Sequence, residues 1–255
     1  MTRRTPPGRL QDVAWAACEV FIEVGYRRAL LTDVAARLGL SHALLYRYVQ
    51  SKEALFELAL VYATDPGAVT SGAVAGAEVP LPTPAPGRVL DLVKRWAEDR
   101  ARFPLLEAAA ARDHAGDAAG ELAGIIGECY EFIERNRLLL ALIERSALDI
   151  PELYTLYFSG FRRAYVSRLA GYLQRGAEAG ELRTVPDVEV AARFIVESAA
   201  WFAWHRKGDL DSAAITDEQA RTVTGLLLAA FVPPGGRSLD EQAFPGEQAE
   251  APCGR

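Results

Sequence analysis

The order of apolar and polar positions along the chain is that of a helical protein. Leu10, Val13, Ala14, Ala17, Phe21 and Val24 recur at three- and four-residue steps, a single stripe on one helix, and Gly25 stands where such a helix should stop. Thr32 sits at an N-cap position ahead of the short apolar face of Val34, Ala35 and Leu38, and Gly39 closes that second segment. Ser41 opens a third, running to Val49 with Leu45 and Val49 turned inward. Ser51 opens a fourth, with Leu55, Leu58 and Tyr62 on its face. Strand-like alternation persists nowhere.

The pattern lapses after Asp65. Residues 65–87 are rich in proline, glycine and alanine, and predict a flexible loop at a domain boundary, which leaves residues 1–64 as an N-terminal domain. Helical period resumes from Arg88 to Arg112, broken near Pro104. It continues over Glu121–Leu148, Glu152–Ala179, Asp187–Lys207 and Asp217–Val232. Residues 88–232 therefore predict a larger helical domain, and residues 233–255, rich in Pro, Gly, Glu and Gln, a disordered tail. The predicted fold class is all-α.

Charge narrows the function. With 28 basic and 34 acidic side chains the formal net charge is −6, so the chain does not coat nucleic acid over its whole surface. Any DNA contact must be a local basic face. Residues 1–52 hold a small basic surplus, eight basic side chains against four acidic, in contrast with an acidic remainder. Cys18, Cys129 and Cys253 are far apart, as are His42, His114 and His205, so neither a disulfide framework nor a metal site is expected, and no cofactor is implied. No signal peptide is predicted, and the longest apolar run, Leu226–Val232, is too short to cross a bilayer. A cytoplasmic protein without a membrane partner is expected. No P-loop, nucleophile elbow or dinucleotide-binding glycine motif occurs, which argues against an enzyme.

Two short helices, Thr32–Leu38 and Ser41–Val49, joined by a tight turn at Gly39, have the form of a DNA-reading helix-turn-helix. An ordinary three-helix bundle has the same pattern. The string from Phe21 to Leu60, FIEVGYRRALLTDVAARLGLSHALLYRYVQSKEALFELAL, resembles the N-terminal domain of the tetracycline-repressor (TetR) family. The matching elements are Phe21, Gly25-Tyr26, Thr32, Val34-Ala35, Leu38-Gly39, Ser41, Leu45-Tyr46, Val49 and Lys52-Glu53. The resemblance implies a ligand-responsive repressor that binds palindromic operator DNA as a dimer. It places His42, Ala43, Leu44 and Tyr46 at the floor of the major groove, and Thr32, Tyr48 and Lys52 on backbone phosphates. Arg47 suits either role, and the N–H groups opened by Ser41 point at the DNA. Ala43 departs from the family, which usually has glycine or another small residue there, and Leu44 stands where a small polar residue is common. The long Pro/Gly stretch is also unusual. A helical interaction protein whose helix-turn-helix no longer reads DNA is the alternative.

Two further patterns concern partners. Val188, Val190, Ala191, Ala192, Phe194, Ile195, Val196, Ala199, Ala200, Trp201 and Phe202 surround nearly all of one helix, and residues 223–231 do likewise on the last. A helix apolar all round needs cover all round, so residues 187–232 predict a homodimer bundle, as the family resemblance also implies. Tyr154, Phe158, Phe161, Tyr165 and Tyr172 fall on one helical face. With Trp96, Phe103, Tyr130 and Trp201 they predict a cavity for a small, mostly apolar effector, with Glu107, Arg145, Glu197 and His205 as candidate polar anchors.

Overall fold

The structure is a computed structural model that describes residues 9–70, 74, 78–112, 117–204 and 217–233. The expected disordered tail and His205 lie outside the described residues. Within them, all regular structure is helical: α1 (Arg9–Val24), α2 (Leu31–Arg37), α3 (His42–Leu45), α4 (Lys52–Thr64), α5 (Pro66–Thr70), α6 (Arg88–Arg100), α7 (Pro104–Ala110), α8 (Ala118–Ala147), α9 (Pro151–Tyr154), α10 (Arg163–Glu178), α11 (Val188–Ala203) and α12 (Asp217–Phe231). A π-helical stretch, Thr155–Arg162, joins α9 to α10.

The chain divides into two compact units. One comprises Met1–Arg102 and Asn136–Arg163, the other Phe103–Arg135 and Ala164–Arg255. Helix α8 contributes to both.

In the first unit, α1 packs on α4 through aromatic rings. Phe21 meets Phe56 edge-on with centroids 5.0 Å apart, and Tyr26 lies 4.9 Å from Phe56. The Cys18 thiol donates to the Ala59 carbonyl at 3.4 Å, and Val13, Ala14, Ala17 and Phe21 are wholly buried. Gly25 ends α1 at φ +86, a left-handed conformation that a side chain would strain. Thr32 does not cap α2. The helix begins at Leu31 with Leu30 in the cap position, two residues ahead of Thr32, and the Leu30 N–H is met by the Asp33 carboxylate at 2.9 Å. A carboxylate three residues inside a helix reaches back to the cap more readily than a leucine can. Ser41 and Ser51 cap as expected: their hydroxyls accept from Leu44 N at 3.3 Å and Ala54 N at 3.2 Å.

The segment expected to be a flexible loop is partly ordered. It contains α5 and, further on, a parallel bridge between Leu81 and Val49. Proline and glycine remove donors and helical order, which is why periodicity fails there, but they do not prevent one residue from pairing with a distant strand-like edge.

The second unit is built from α7, the first part of α8, α10, α11 and α12. Leu106, Leu122, Ile125, Ile126, Leu169, Ile195 and Ala199 are fully buried. Pro104 stands in the first turn of α7, where its missing N–H costs nothing. Asp187 caps α11 by accepting from Glu189 N and Val190 N. Arg183 N donates to Phe231 O at 2.7 Å and ties the approach to α11 onto the end of α12.

Candidate functional site

The helix-turn-helix is fastened together at the N-terminus of α4. The Lys52 ammonium donates to the carbonyls of Arg27 and Ala29, each at 3.0 Å, and stands 4.9 Å over the Tyr26 ring. The turn between α1 and α2 is thereby fastened to α4. Tyr26 in turn donates to Glu53 at 3.3 Å. Burial first, and then the Glu53 charge, push the Tyr26 phenol up to about 12, so it remains a donor. Glu53 is held below the usual carboxylate range, chiefly by the N–H of its own residue in the opening turn of α4. Two of the three N–H bonds of Lys52 are thus spent inside the domain.

Helix α3 is shorter than the expected Ser41–Val49. After Leu45 the chain winds down in three-residue turns, Arg47 N to Leu44 O at 3.2 Å and Tyr48 N to Leu45 O at 2.9 Å. Its outer face carries His42, Ala43, Tyr46 and Arg47, all exposed. The His42 and Tyr46 rings meet edge-on at 4.9 Å, one turn apart. Leu44 is half-buried, Leu45 and Val49 fully buried, and Tyr48 only 9 % exposed. Thr32 is exposed in the first turn of α2 and Ser41 at the cap of α3. His42, Ala43, Tyr46 and Arg47 therefore share one solvent-facing surface, whereas Tyr48 turns toward the core.

The C-terminal end of α1 is gripped from a distant part of the sequence. Arg145 Nη2, in α8, donates to Val24 O at 2.9 Å, and Asp149 Oδ2 accepts from Arg27 N at 2.8 Å. A Cβ placed on Gly25 would lie 2.8 Å from that same Asp149 oxygen and 3.2 Å from the Arg145 guanidinium. A cation on the carbonyl end of a helix and a carboxylate on exposed N–H groups are both the favourable pairing. Arg145, expected as an effector anchor, is occupied here. Asp149 escaped sequence reading, since only its separation from Arg27 in the chain distinguishes it from any surface aspartate.

The aromatic side chains expected to line an effector cavity fall into two groups. Trp96 (buried in α6), Tyr154, Phe158 and Phe161 belong to the first unit, where the Tyr154 and Phe158 rings lie tilted with centroids 5.0 Å apart and Tyr154 is 47 % exposed. Phe103, Tyr130 and Trp201 belong to the second. There Phe103 sits 4.9 Å from Phe132 and 4.3 Å from Tyr165, with Tyr130 buried. The neighbouring Cys129 is buried, which pushes its thiol up to about 12 and rules it out as a nucleophile at neutral pH. Glu128, one residue before it, accepts from Leu105 N and Leu106 N and so caps α7, while burial raises its carboxyl above the usual range. Glu107 is exposed and ion-paired with Arg168 at 3.6 Å. Trp201 is half-exposed rather than buried. It points outward, 53 % exposed, on the same face of α11 as Val190 and Phe194, at 62 % and 55 %. On α12, Leu226 is 68 % exposed and Leu227 only 3 %.

The model for bacterial regulatory proteins of the tetR family matches residues 15–59, and that for the tetracyclin repressor-like C-terminal domain matches residues 115–227. The chain belongs to the TetR family. Among solved structures it is similar to the ketosteroid transcriptional regulator KstR2 of Mycobacterium tuberculosis, with 16 % identity, a TM-score of 0.55 and coverage of 91 % of this chain and 100 % of that one. It is also similar to the transcriptional regulatory protein RHA5900, with 20 % identity, a TM-score of 0.53 and coverage of 89 % and 100 %. No curated protein matches. This TetR-family member is thus a transcription regulator with an N-terminal helix-turn-helix DNA-binding domain and a C-terminal ligand-binding domain. No helix among the described residues is long and apolar enough to cross a membrane.

Proposed function

We propose that this TetR-family chain is a homodimeric repressor that binds inverted-repeat operator DNA and is released by a small, mostly apolar effector. His42, Ala43, Leu44 and Tyr46 read the major groove from α3, with Arg47 beside them. Thr32, Ser41 and Lys52 hold backbone phosphate, Lys52 through its remaining N–H. Tyr48 contributes more to seating α3 than to phosphate.

The observation that carries the dimer is the exposed row of Val190, Phe194 and Trp201 on α11, with Leu226 exposed on α12, the helix packed against it. Large apolar side chains exposed on two packed helices mark an interaction face, and a two-fold copy of the same face buries them. The two α3 helices of such a dimer enter successive major grooves. Residues 187–232 are its interface.

The effector is proposed to contact the cluster around Phe103 and Tyr130, on α7 and the first part of α8. That helix continues to Arg145, which grips the end of α1. A ligand that prefers a different setting of α8 shifts the population away from the DNA-binding state by its differential affinity alone. A coupling of about 1–3 kcal/mol gives roughly 5- to 150-fold derepression. The test is a gel shift on a palindromic promoter fragment, repeated with apolar compounds that raise the melting temperature. Stabilising compounds that also release DNA support the reading. Stabilising compounds that leave operator affinity unchanged remove the switch, and a chain that binds no duplex DNA favours an interaction protein instead.

A further inference from the structure

Helix α3 has only four residues in α geometry, too few to hold a direction unaided, so its orientation is set by what grips its ends. The leading end is capped by Ser41. The trailing end is held on two sides. On the core side, Val49 is fully buried and Tyr48 nearly so. On the other, Leu81 N donates to Tyr48 O at 2.8 Å, and Gln50 N donates to Leu81 O at 2.9 Å. Two of the main-chain groups where α3 unwinds, Tyr48 O and Gln50 N, are satisfied by one residue about thirty positions downstream.

The segment that supplies Leu81 reads Pro80-Leu81-Pro82-Thr83-Pro84-Ala85-Pro86-Gly87. Proline at every second position fixes φ there and removes the N–H, so residues 81–85, which carry no bend or turn, form a stiff stretch with few donors to give, closed by a turn in which Arg88 N donates to Ala85 O at 3.1 Å. The donor of Leu81 is spent on the end of α3. At the far end, Gly87 takes φ +85 as the N-cap of α6, and Arg88 Nε donates to Glu57 Oε1 of α4 at 2.9 Å. All of these residues lie in the first unit.

We infer that residues 78–88 are a rigid strut that fixes the trailing end of the recognition helix against α4 and α6, with Leu81 as the positioning residue. The inference rests on the reading of α3 as the DNA-reading helix. The strut touches no base. It sets how far α3 can tilt, and through that tilt where His42 and Tyr46 meet the groove.

The test uses the full-length chain with Val79–Pro86 replaced by a Gly/Ser segment of equal length, alongside Leu81→Pro, which loses the N–H, and Leu81→Ala, which keeps both main-chain bonds. Two quantities are measured: amide hydrogen exchange at Gln50, and affinity for the operator at fixed salt. The Gly/Ser chain should exchange Gln50 roughly tenfold faster and bind operator roughly tenfold more weakly with an unchanged salt slope, the loss expected for two main-chain hydrogen bonds. Leu81→Pro should fall between it and the parent, and Leu81→Ala should stay near the parent. If the Gly/Ser chain fails to fold, Leu81→Pro decides on the same two measurements. Parent-like exchange and affinity in the Gly/Ser chain, or in a folded Leu81→Pro, overturn the strut. Should the parent itself ignore operator DNA, the reading of α3 fails, and unchanged exchange at Gln50 would still sink the strut separately.

Discussion

At the scale of single residues, Lys52 carries two roles that experiment can separate. Its ammonium closes the α1–α2 turn through Arg27 O and Ala29 O. Removing it leaves two carbonyls without their charged donor, so Lys52→Ala should destabilise the fold by about 1–3 kcal/mol in urea melts. A phosphate contact adds a second signature, a salt slope for operator binding flatter by about one unit. Loss of stability with an unchanged slope would assign Lys52 wholly to the interior. Glu53 makes a pH prediction. Its carboxyl is held low in the folded state, so its contribution is present above the ordinary carboxylate pKa and is lost as pH falls through the folded value. Glu53→Gln should therefore melt earlier than the parent at about pH 7, by a gap that closes as the pH falls from the ordinary carboxylate pKa through the lowered folded value. A gap of equal size throughout would show that the charge is irrelevant. Residue identities were legible in the sequence, but partners were not. Nothing in the spacing of Lys52 tells that its nearest acceptors are main-chain oxygens more than twenty residues back.

At the scale of elements, the joint between α8 and α1 is the natural place for a signal to reach the reading head. Arg145→Ala removes the donor to Val24 O, and Asp149→Asn weakens the grip on Arg27 N. Either change should leave operator affinity within a few-fold of the parent while cutting the effector's power to release DNA, because binding free energies at two sites are linked only through the element that both bias. Full release by effector in both variants would place the coupling elsewhere. Helices were the most legible elements, because a stripe at three- and four-residue steps survives any packing. Their ends were less so. Periodicity put Thr32 at the cap of α2, while Asp33 performs the capping from inside. The aromatic stripe from Tyr154 to Tyr172 is a truer case of misdirection. Steps of four, three, four and seven residues predict one face of a regular α-helix, but the π-helical turns at Thr155–Arg162 take more residues per turn and rotate that face, and Tyr154 is exposed while Tyr165 and Tyr172 are buried. The strut was illegible for a different reason: a single long-range bridge leaves no period.

At the scale of the whole molecule, apolar composition around α11 and α12 was enough to predict that both helices need covering on every side. It could not say which residue faces where. Leu227 lies in the core of its own unit, and Leu226 faces out. Leu227→Arg should therefore compromise folding itself, while Leu226→Arg should leave each chain folded and weaken only its pairing. The most direct test of a homodimeric reader of inverted repeats is sedimentation of the protein at micromolar concentration, alone and with duplexes carrying either one half-site or two in inverted repeat. A homodimeric reader sediments as a dimer alone, binds as two chains per inverted repeat and far more weakly to the single half-site, and yields a folded Leu226→Arg monomer that no longer distinguishes the two duplexes. A parent chain that sediments as a monomer and binds both duplexes equally would contradict it.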